Sequence, residues 1–257
     1  MITLYDLEFT LPGKTVSPFV MKTRLALNYK KLPHRTVWIK DHELQARAAE
    51  LGLPINDISD GAPRYKVPII HDSSTGVSVS DSARIIAYLD KTYPDTPTLI
   101  PAGTEAAAVA LDAAVLTNII GSVFPAIAPR IGSLMDEKSL GVFRARVVGI
   151  IGMKYEEFFE RPEFERGIWE KAAVGFSVAD RIFEKARLVK GDASADEGPF
   201  LTGKDITYAD ISVGGALIWA RRVLGDHEEP WEVLKGWNGG RWLKLYEALQ
   251  PYAVIHA

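Results

Sequence analysis

An α/β unit followed by an all-helical unit is the fold class predicted by this 257-residue sequence, and three observations predict it. Strand-like and helix-like patterns alternate from the N-terminus to about Lys91. A proline-punctuated stretch, Tyr93-Pro94-Asp95-Thr96-Pro97 with Pro101, then breaks the chain. Beyond Thr104 no segment reads as a strand. These breaks predict a first domain over 1–93, a linker over 94–103 and a helical domain over 104–257.

The elements follow in order. Ile2 to Leu7 alternates in polarity as a strand does. Helix 18–30 comes next, with Met21, Leu25, Ala26 and Leu27 as its apolar residues, and then a strand over His34–Ile39. A short helical stretch near Glu43 to Leu51 leads into a loop rich in Gly, Pro and Asp that runs through Arg64. Val67 to Asp72 and Val77 to Val79, joined at Ser73-Ser74-Thr75-Gly76, read as a β-hairpin. Ser80-Asp81-Ser82 then opens a helix, Ala83 to Lys91, with Ile85, Ile86 and Leu89 on one face. The order is βαβαββα. Helical patterns in the second unit cover Ala106–Phe124, Gly141–Glu160, Phe164–Val189, Tyr208–Val223 and Arg241–Leu249, with a small acidic turn from Gly191 to Gly198.

Composition narrows the function. Hydrophobic residues make 47% and charged residues 25%, as in globular proteins, and a net charge of −3 supplies no field for nucleic acid. There is no cysteine, which excludes disulfides, thiolate metal sites and a protein thiol nucleophile. The histidines at 34, 42, 71, 227 and 256 have no metal-ligand spacing, so no metal is assigned. Ala106 to Ala128 contains only one charge, Asp112, yet its alanines and its Asn118, Gly121, Ser122 and Pro125 make it a buried core helix rather than a membrane span. With no secretory pattern at the start, a cytoplasmic location and no membrane partner are expected.

Ser17-Pro18-Phe19 is the most informative motif. A serine before a proline is well placed as an N-cap with proline at the first helical position. Its hydroxyl and the neighbouring amides make a spot of positive potential suited to an anion such as a thiolate. In a chain without cysteine that thiolate belongs to a ligand. Val67-Pro68 has two readings. A cis peptide would turn the Val67 backbone toward a bound peptide, whereas a trans proline would simply sit on an edge strand. Asp81-Ser82 is in most proteins a cap with nothing bound. Placed at the C-terminal edge of a sheet, however, Ser82 can hold a carboxylate and Asp81 an ammonium.

These three sites, in this order, resemble the glutathione-binding domain of the soluble glutathione transferases. The resemblance covers nearly the whole chain. It implies a thioredoxin-like N-terminal domain followed by an all-α helical-bundle domain, with glutathione as co-substrate. The stretch from Phe200 to Ile211 looks like the family's folding motif. Thr207 and Asp210 read as a capping box there, with Ile206 against Ile211 as a hydrophobic staple. Ile2 to Leu7, Ser17 to Val20 and Lys22 to Lys30 look like the etherase-type branch, the bacterial β-etherases of lignin-derived aryl ethers and their fungal relatives.

The resemblance implies that Ser17 is catalytic and that Ser17, Phe19, Val67, Pro68, Asp81 and Ser82 bind glutathione, with Lys40 and Lys66 as candidates for its glycine end. It implies an apolar aromatic second substrate between the domains, near Phe9, Leu11, Ile119, Val123, Phe124 and Ile127, and a homodimer. A carrier of aromatic compounds with little turnover is the alternative. Gly198 to Lys204 matches most of a phosphate-binding loop, but Asp205 stands where Ser or Thr should bind magnesium and no strand precedes it. Ser17 also lacks the Gly-x-Ser-x-Gly setting of a hydrolase nucleophile.

Overall fold

The computed structural model describes residues 1–55, 64–152, 154–157, 162–190, 198–225 and 229–256. Residues 191–197 of the acidic turn expected from Gly191 to Gly198, and the loop residues 56–63, lie outside the described residues. Strands β1 (Ile2–Leu7), β2 (His34–Ile39), β3 (Ile69–Asp72) and β4 (Val77–Ser80) form one sheet of order β2-β1-β3-β4. β1 pairs parallel with β2, which requires a crossover, and helix α1 (Pro18–Tyr29) supplies it. β1 to β3 and β3 to β4 are antiparallel. A 3₁₀ turn (Asp41–Glu43), helix α2 (Leu44–Glu50) and helix α3 (Ser82–Thr92) complete the βαβαββα order read from the sequence.

The strand alternation sorts side chains to opposite faces. Tyr5, Ile39 and Ile69 pack with Leu44, Ala48 and Leu53 on the α2 side. Leu4 and Ile70 join Leu25, Ile85 and Leu89 in the main core on the other side, and that core runs on into the helical half.

The helical half differs from the sequence pattern at several ends. The helix expected to stop at Phe124 runs from α4 (Glu105–Val115) through a π-helical turn (Leu116–Ile120) into α5 (Gly121–Ser133), passing Pro125 and Pro129. Side chains serve the carbonyls of this stretch: Ser122 Oγ donates to Asn118 O and Ile119 O, Arg130 to Ala126 O, and the Tyr155 hydroxyl to Pro129 O. Over Glu105–Ser133 an 18-residue window reaches a mean hydropathy of 1.8, enough by length and composition to cross a membrane, but only 28% of the window is buried. The expected core helix is buried along one face only. Leu111, Val115, Ile119 and Ile127 point inward, while Val109 and Leu116 face out.

Helix α6 is Glu137–Ile151 rather than Gly141–Glu160. Asp136 caps its start through the amides of Lys138 and Ser139, and left-handed Gly152 ends it. Helices α7 (Pro162–Lys190) and α8 (Tyr208–Leu224) fall close to the expected ranges. The segment α9 (Glu229–Leu249) holds two helices separated by the non-helical residues Trp237 to Gly240, so the helix expected over Arg241–Leu249 is present and a further helical stretch from Glu229 precedes it. Trp242 Nε1 donates to Asn238 Oδ1 at 2.7 Å across that break.

Two glycines set the contact between the halves. A Cβ on Gly215 of α8 would stand 2.9 Å from the Pro18 carbonyl oxygen, and one on Gly214 would meet Leu249 and Leu25. With neither Cβ present, α1 rests directly on α8.

The expected capping box at the head of α8 is formed. Asp210 accepts from Thr207 N at 2.8 Å, Thr207 Oγ1 at 2.7 Å and Leu201 N at 2.7 Å, and Ile206 and Ile211 are both buried beside it. Asp210→Ala strands these donors and is expected to cost about 2–4 kcal/mol in urea unfolding. A loss below about 1 kcal/mol would show that the motif is not needed for stability.

Burial also sets a pH dependence. Desolvation raises the Asp6 carboxyl to about 6, against the opposing pull of Arg24, and raises Asp210 to about 6 against the pull of its donors. Between the unfolded value near 4 and about 6, the folded chain keeps protons that the unfolded chain releases, so stability falls as pH rises through that window. Each group contributes on the order of 3 kcal/mol to the fall. Asp72 is held down to about 2 by hydrogen bonds from Ser74, Tyr93 and Tyr88, which outweigh its desolvation, so its opposite contribution lies below the window. Asp6→Asn is expected to reduce the slope of unfolding free energy between pH 4 and 6 by about half. An unchanged slope would rule Asp6 out as a source.

Candidate functional site

The register of the sheet brings the motifs to one edge. Leu7, near the end of β1, pairs with Ile39, so Lys40 and the loop from Glu8 leave the sheet side by side. Tyr5 pairs with Ile69, which places Val67-Pro68 at that same end, and Ile69 pairs with Ser80, which delivers Asp81-Ser82 there. Segments scattered over the first unit thus line up along the C-terminal end of β1.

Ser17 is the N-cap of α1, with Pro18 at the first helical position. Its Oγ accepts from Val20 N at 3.3 Å, and no acceptor among the described residues takes its own proton. That proton remains available beside the partial positive charge of the helix terminus. Phe19 is half-buried, with Lys22 Nζ 5.2 Å from its ring centroid.

The loop ahead of Ser17 is tied down from outside the first unit. Thr10 N donates to Leu134 O at 2.8 Å. Arg222 of α8 donates through Nε to Thr15 O at 2.8 Å and through Nη2 to Pro12 O at 2.6 Å. Gly13 and Lys14 take φ of 73° and 56° to make the turn, and Ile255 packs against Gly13. Beneath the loop, Arg24 is fully buried between Asp6, at 3.3 Å, and Thr36 Oγ1, at 3.0 Å. Sequence reasoning missed Arg222, Arg24 and Asp6. Arginine and aspartate inside apolar helix and strand patterns were the available signal.

The Val67-Pro68 bond is cis. Val67 is half-buried and makes no backbone hydrogen bond among the described residues. Asp81 is an exposed N-cap with φ of 75°, uncommon for a residue with a side chain. Its Oδ1 accepts from Ala83 N at 3.0 Å and Arg84 N at 3.1 Å, leaving Oδ2 unused among the described residues. Ser82 is buried, and its amide is one of the orphan donors of the helix start. The edge therefore offers a hydroxyl proton and free amides for anions, with one carboxylate oxygen for a cation.

Other predicted residues are placed less favourably. Lys40 and Lys66 are exposed. Phe9, Ile119, Val123 and Ile127 are buried in the main core, so only Leu11 and Phe124 of that set keep partial exposure. Phe124 stacks on Trp219 with ring centroids 6.4 Å apart. A cavity of about 580 Å³ lies elsewhere, lined by Arg187, Asn238, Arg241 and Lys244 among others, and none of the predicted residues lines it.

Each Arg222 bond to a loop carbonyl is charge-assisted, a class worth about 1.5–3 kcal/mol when formed out of water. Arg222→Ala is expected to speed amide hydrogen exchange at Lys14 and Thr15 by about tenfold or more while leaving β1 protected. Unchanged exchange in the loop would mean that Arg222 does not hold it.

Models of the glutathione S-transferase N-terminal domain and C-terminal domain match residues 16–92 and 106–252 respectively. A glutathione S-transferase-like protein of Aspergillus flavus is 29% identical over 253 residues, 95% of this chain and 88% of the relative. A glutathione S-transferase of Ceriporiopsis subvermispora, crystallised in complex with glutathione, superposes with a TM-score of 0.88 at 33% identity, covering 99% of this chain and 98% of that one. A glutathione transferase of Phanerochaete chrysosporium superposes with a TM-score of 0.89 at 29% identity over 100% and 98% of the two chains. The thioredoxin-like unit, the helical unit behind it and these matches agree: the chain belongs to the glutathione S-transferase family.

Proposed function

We propose that this protein is a serine-type glutathione transferase in which Ser17 holds the glutathione sulfur as a thiolate for attack on an apolar aromatic electrophile. The observation that carries the reading is the Ser17 hydroxyl at the head of α1, with its lone pair engaged by Val20 N and its proton unclaimed among the described residues. A free thiol of pKa about 8.5 is only a few per cent ionised at neutral pH, and making thiolate the major form takes a shift of roughly two units, about 2.7 kcal/mol. A hydrogen bond from a hydroxyl to a charged sulfur is worth about 1.5–3 kcal/mol, and the helix terminus adds up to about 1 kcal/mol. Together they suffice. The serine remains a donor throughout and forms no bond to substrate. With no cysteine in the chain, mixed-disulfide chemistry on the protein is closed to it.

Glutathione's cysteinyl backbone pairs with Val67 beside Pro68, and its γ-glutamyl end sits at Asp81 and Ser82, carboxylate on the Ser82 donors and ammonium on the free Asp81 oxygen. Lys40, leaving β2 at the same edge, is the candidate for the glycine carboxylate, with exposed Lys66 as a second. The acceptor lies between the halves against Leu11 and Phe124, the partly exposed members of the predicted pocket. For an aryl-ether substrate the sulfur attacks the carbon bearing the ether oxygen: the C–S bond forms, the C–O bond breaks and aryloxide leaves. The protein works in the cytoplasm as a homodimer.

Ser17→Ala is expected to raise the pKa of bound glutathione by about one to two units, read from thiolate absorbance against pH, and to lower turnover of an aryl-ether or electrophile panel at pH 6.5 by about ten- to a hundredfold. An unshifted pKa would remove Ser17 from the mechanism. Tight aromatic binding by the wild type with no turnover across the panel would favour a carrier instead.

A further inference from the structure

The exit of β2 is gripped by a helix of the second half. Lys40, the residue after β2, caps the 3₁₀ turn Asp41–Glu43, and its carbonyl accepts from Glu43 N at 2.9 Å. The Asp41 side chain is 1% exposed. Arg146 of α6 meets its carboxylate as a fork, Nη1 donating to Oδ1 at 3.2 Å and Nη2 to Oδ2 at 2.7 Å. His42 makes a second tie, its Nδ1 lying 3.0 Å from Ser139 Oγ. That hydroxyl donates to Asp136 Oδ2 at 2.7 Å, so the imidazole is the donor to it. Ser139, Phe143 and Arg146 recur at helical spacing along one face of α6, and Phe143 is buried in the main core. Lys40 therefore stands between Ile39, paired with Leu7 in the sheet, and Asp41, bound to α6.

We propose that Arg146 is a positioning residue of the glycine subsite: by anchoring Asp41 it fixes the backbone from which Lys40 reaches the glycine carboxylate of glutathione. This rests on the reading of Lys40 as the holder of that carboxylate. The Lys40 side chain is exposed, and its ammonium forms no hydrogen bond among the described residues. Asp136 feels that charge, but it is spent on its own helix. Its Oδ1 takes the amides of Lys138 and Ser139, and its Oδ2 takes the Ser139 hydroxyl. The ammonium is thus left for an incoming carboxylate. A lysine on an unanchored turn would give up much of that attraction in ordering its long side chain. A buried carboxylate held in a guanidinium fork admits one placement, since a shift strands a charge away from water. Arg146 acts through Asp41 and Lys40 rather than by touching the ligand.

The test is calorimetric titration of Arg146→Met, Lys40→Ala and their double variant with glutathione and with γ-glutamylcysteine, which lacks the glycine. Arg146→Met is expected to bind glutathione about three- to tenfold more weakly and γ-glutamylcysteine as the wild type does. Lys40→Ala is expected to show the same selective loss, and the double variant to lose no more than Lys40→Ala alone. An equal loss for both ligands would make the Arg146–Asp41 pair purely structural and overturn the proposal. A fully additive loss in the double variant would overturn it as well, because Arg146 would then act by a route other than Lys40. Should Arg146→Met not fold, Arg146→Lys keeps a cation on Asp41 and loses only the fork. It is expected to weaken glutathione about twofold or more with γ-glutamylcysteine unchanged, and unchanged glutathione binding would overturn the proposal. If Lys40→Ala binds glutathione like the wild type, the reading of Lys40 itself falls. If Lys40→Ala weakens binding and Arg146→Met does not, only the role of Arg146 falls.

Discussion

The close approach of α1 to α8 across Gly214 and Gly215 determines where Ser17 stands. A serine N-cap is only as well placed as its helix, and α1 is gripped from both sides. Toward the sheet, buried Arg24 meets Asp6 and Thr36; toward the helical half, buried Lys22 meets Asp112. Burying two cations on one helix is poor strategy for stability alone, because desolvation offsets much of the attraction. What the pairs add is specificity. A helix rotated or slid by one residue would leave a charge buried without its partner, an error costing several kcal/mol, whereas apolar contacts tolerate small shifts.

The same local device appears twice at the sheet edge with opposite chemistry. Ser17 and Asp81 are both N-caps, each accepting from amides of its own helix's first turn. A hydroxyl in that position has a proton to spare, and a carboxylate has an oxygen to spare. One cap is therefore left with a donor and the other with an acceptor. A zwitterionic ligand with a distant thiol is matched by this pair better than by two caps of one kind. The positive φ at Asp81 belongs with this arrangement, since it turns the chain sharply from Ser80 of β4 into α3 and keeps the carboxylate at the rim.

Features built from neighbouring residues were legible in the sequence. The strand alternation, the serine–proline start of α1, the hairpin and the Thr207–Asp210 box all act within a few residues, and each appears where the pattern put it. The cis bond at Val67-Pro68 stood as one of two readings, because a lone X-Pro pair does not reveal its isomer. What was hidden is what depends on partners far along the chain. Arg222 reaches back more than two hundred positions to Pro12 and Thr15, and the pairing of Lys22 with Asp112 joins two helices that are each predictable alone. Helix ends failed where a rule was locally overridden. Pro125 and Pro129 sit inside a helix that continues to Ser133, and the helix from Arg241 is preceded by an unforeseen helical stretch from Glu229.

The break at Pro94 to Pro101 marks a boundary in pattern but not in packing. One continuous core contains Leu4, Leu25 and Ile85 from the first unit together with Val115, Leu217 and Trp242 from the second. The final residues close the assembly from behind: Asn28 of α1 donates to Tyr252 O and Val254 O, and Ile255 packs against Gly13. Without the helical half, α1 would lose α8, Asp112 and this C-terminal strap together, while the loop ahead of Ser17 would lose Arg222. A unit of about ninety residues with that much apolar and charged surface uncovered would hold its fold marginally at best. The helical half therefore completes the core of the α/β unit and so fixes where α1 and its Ser17 N-cap stand.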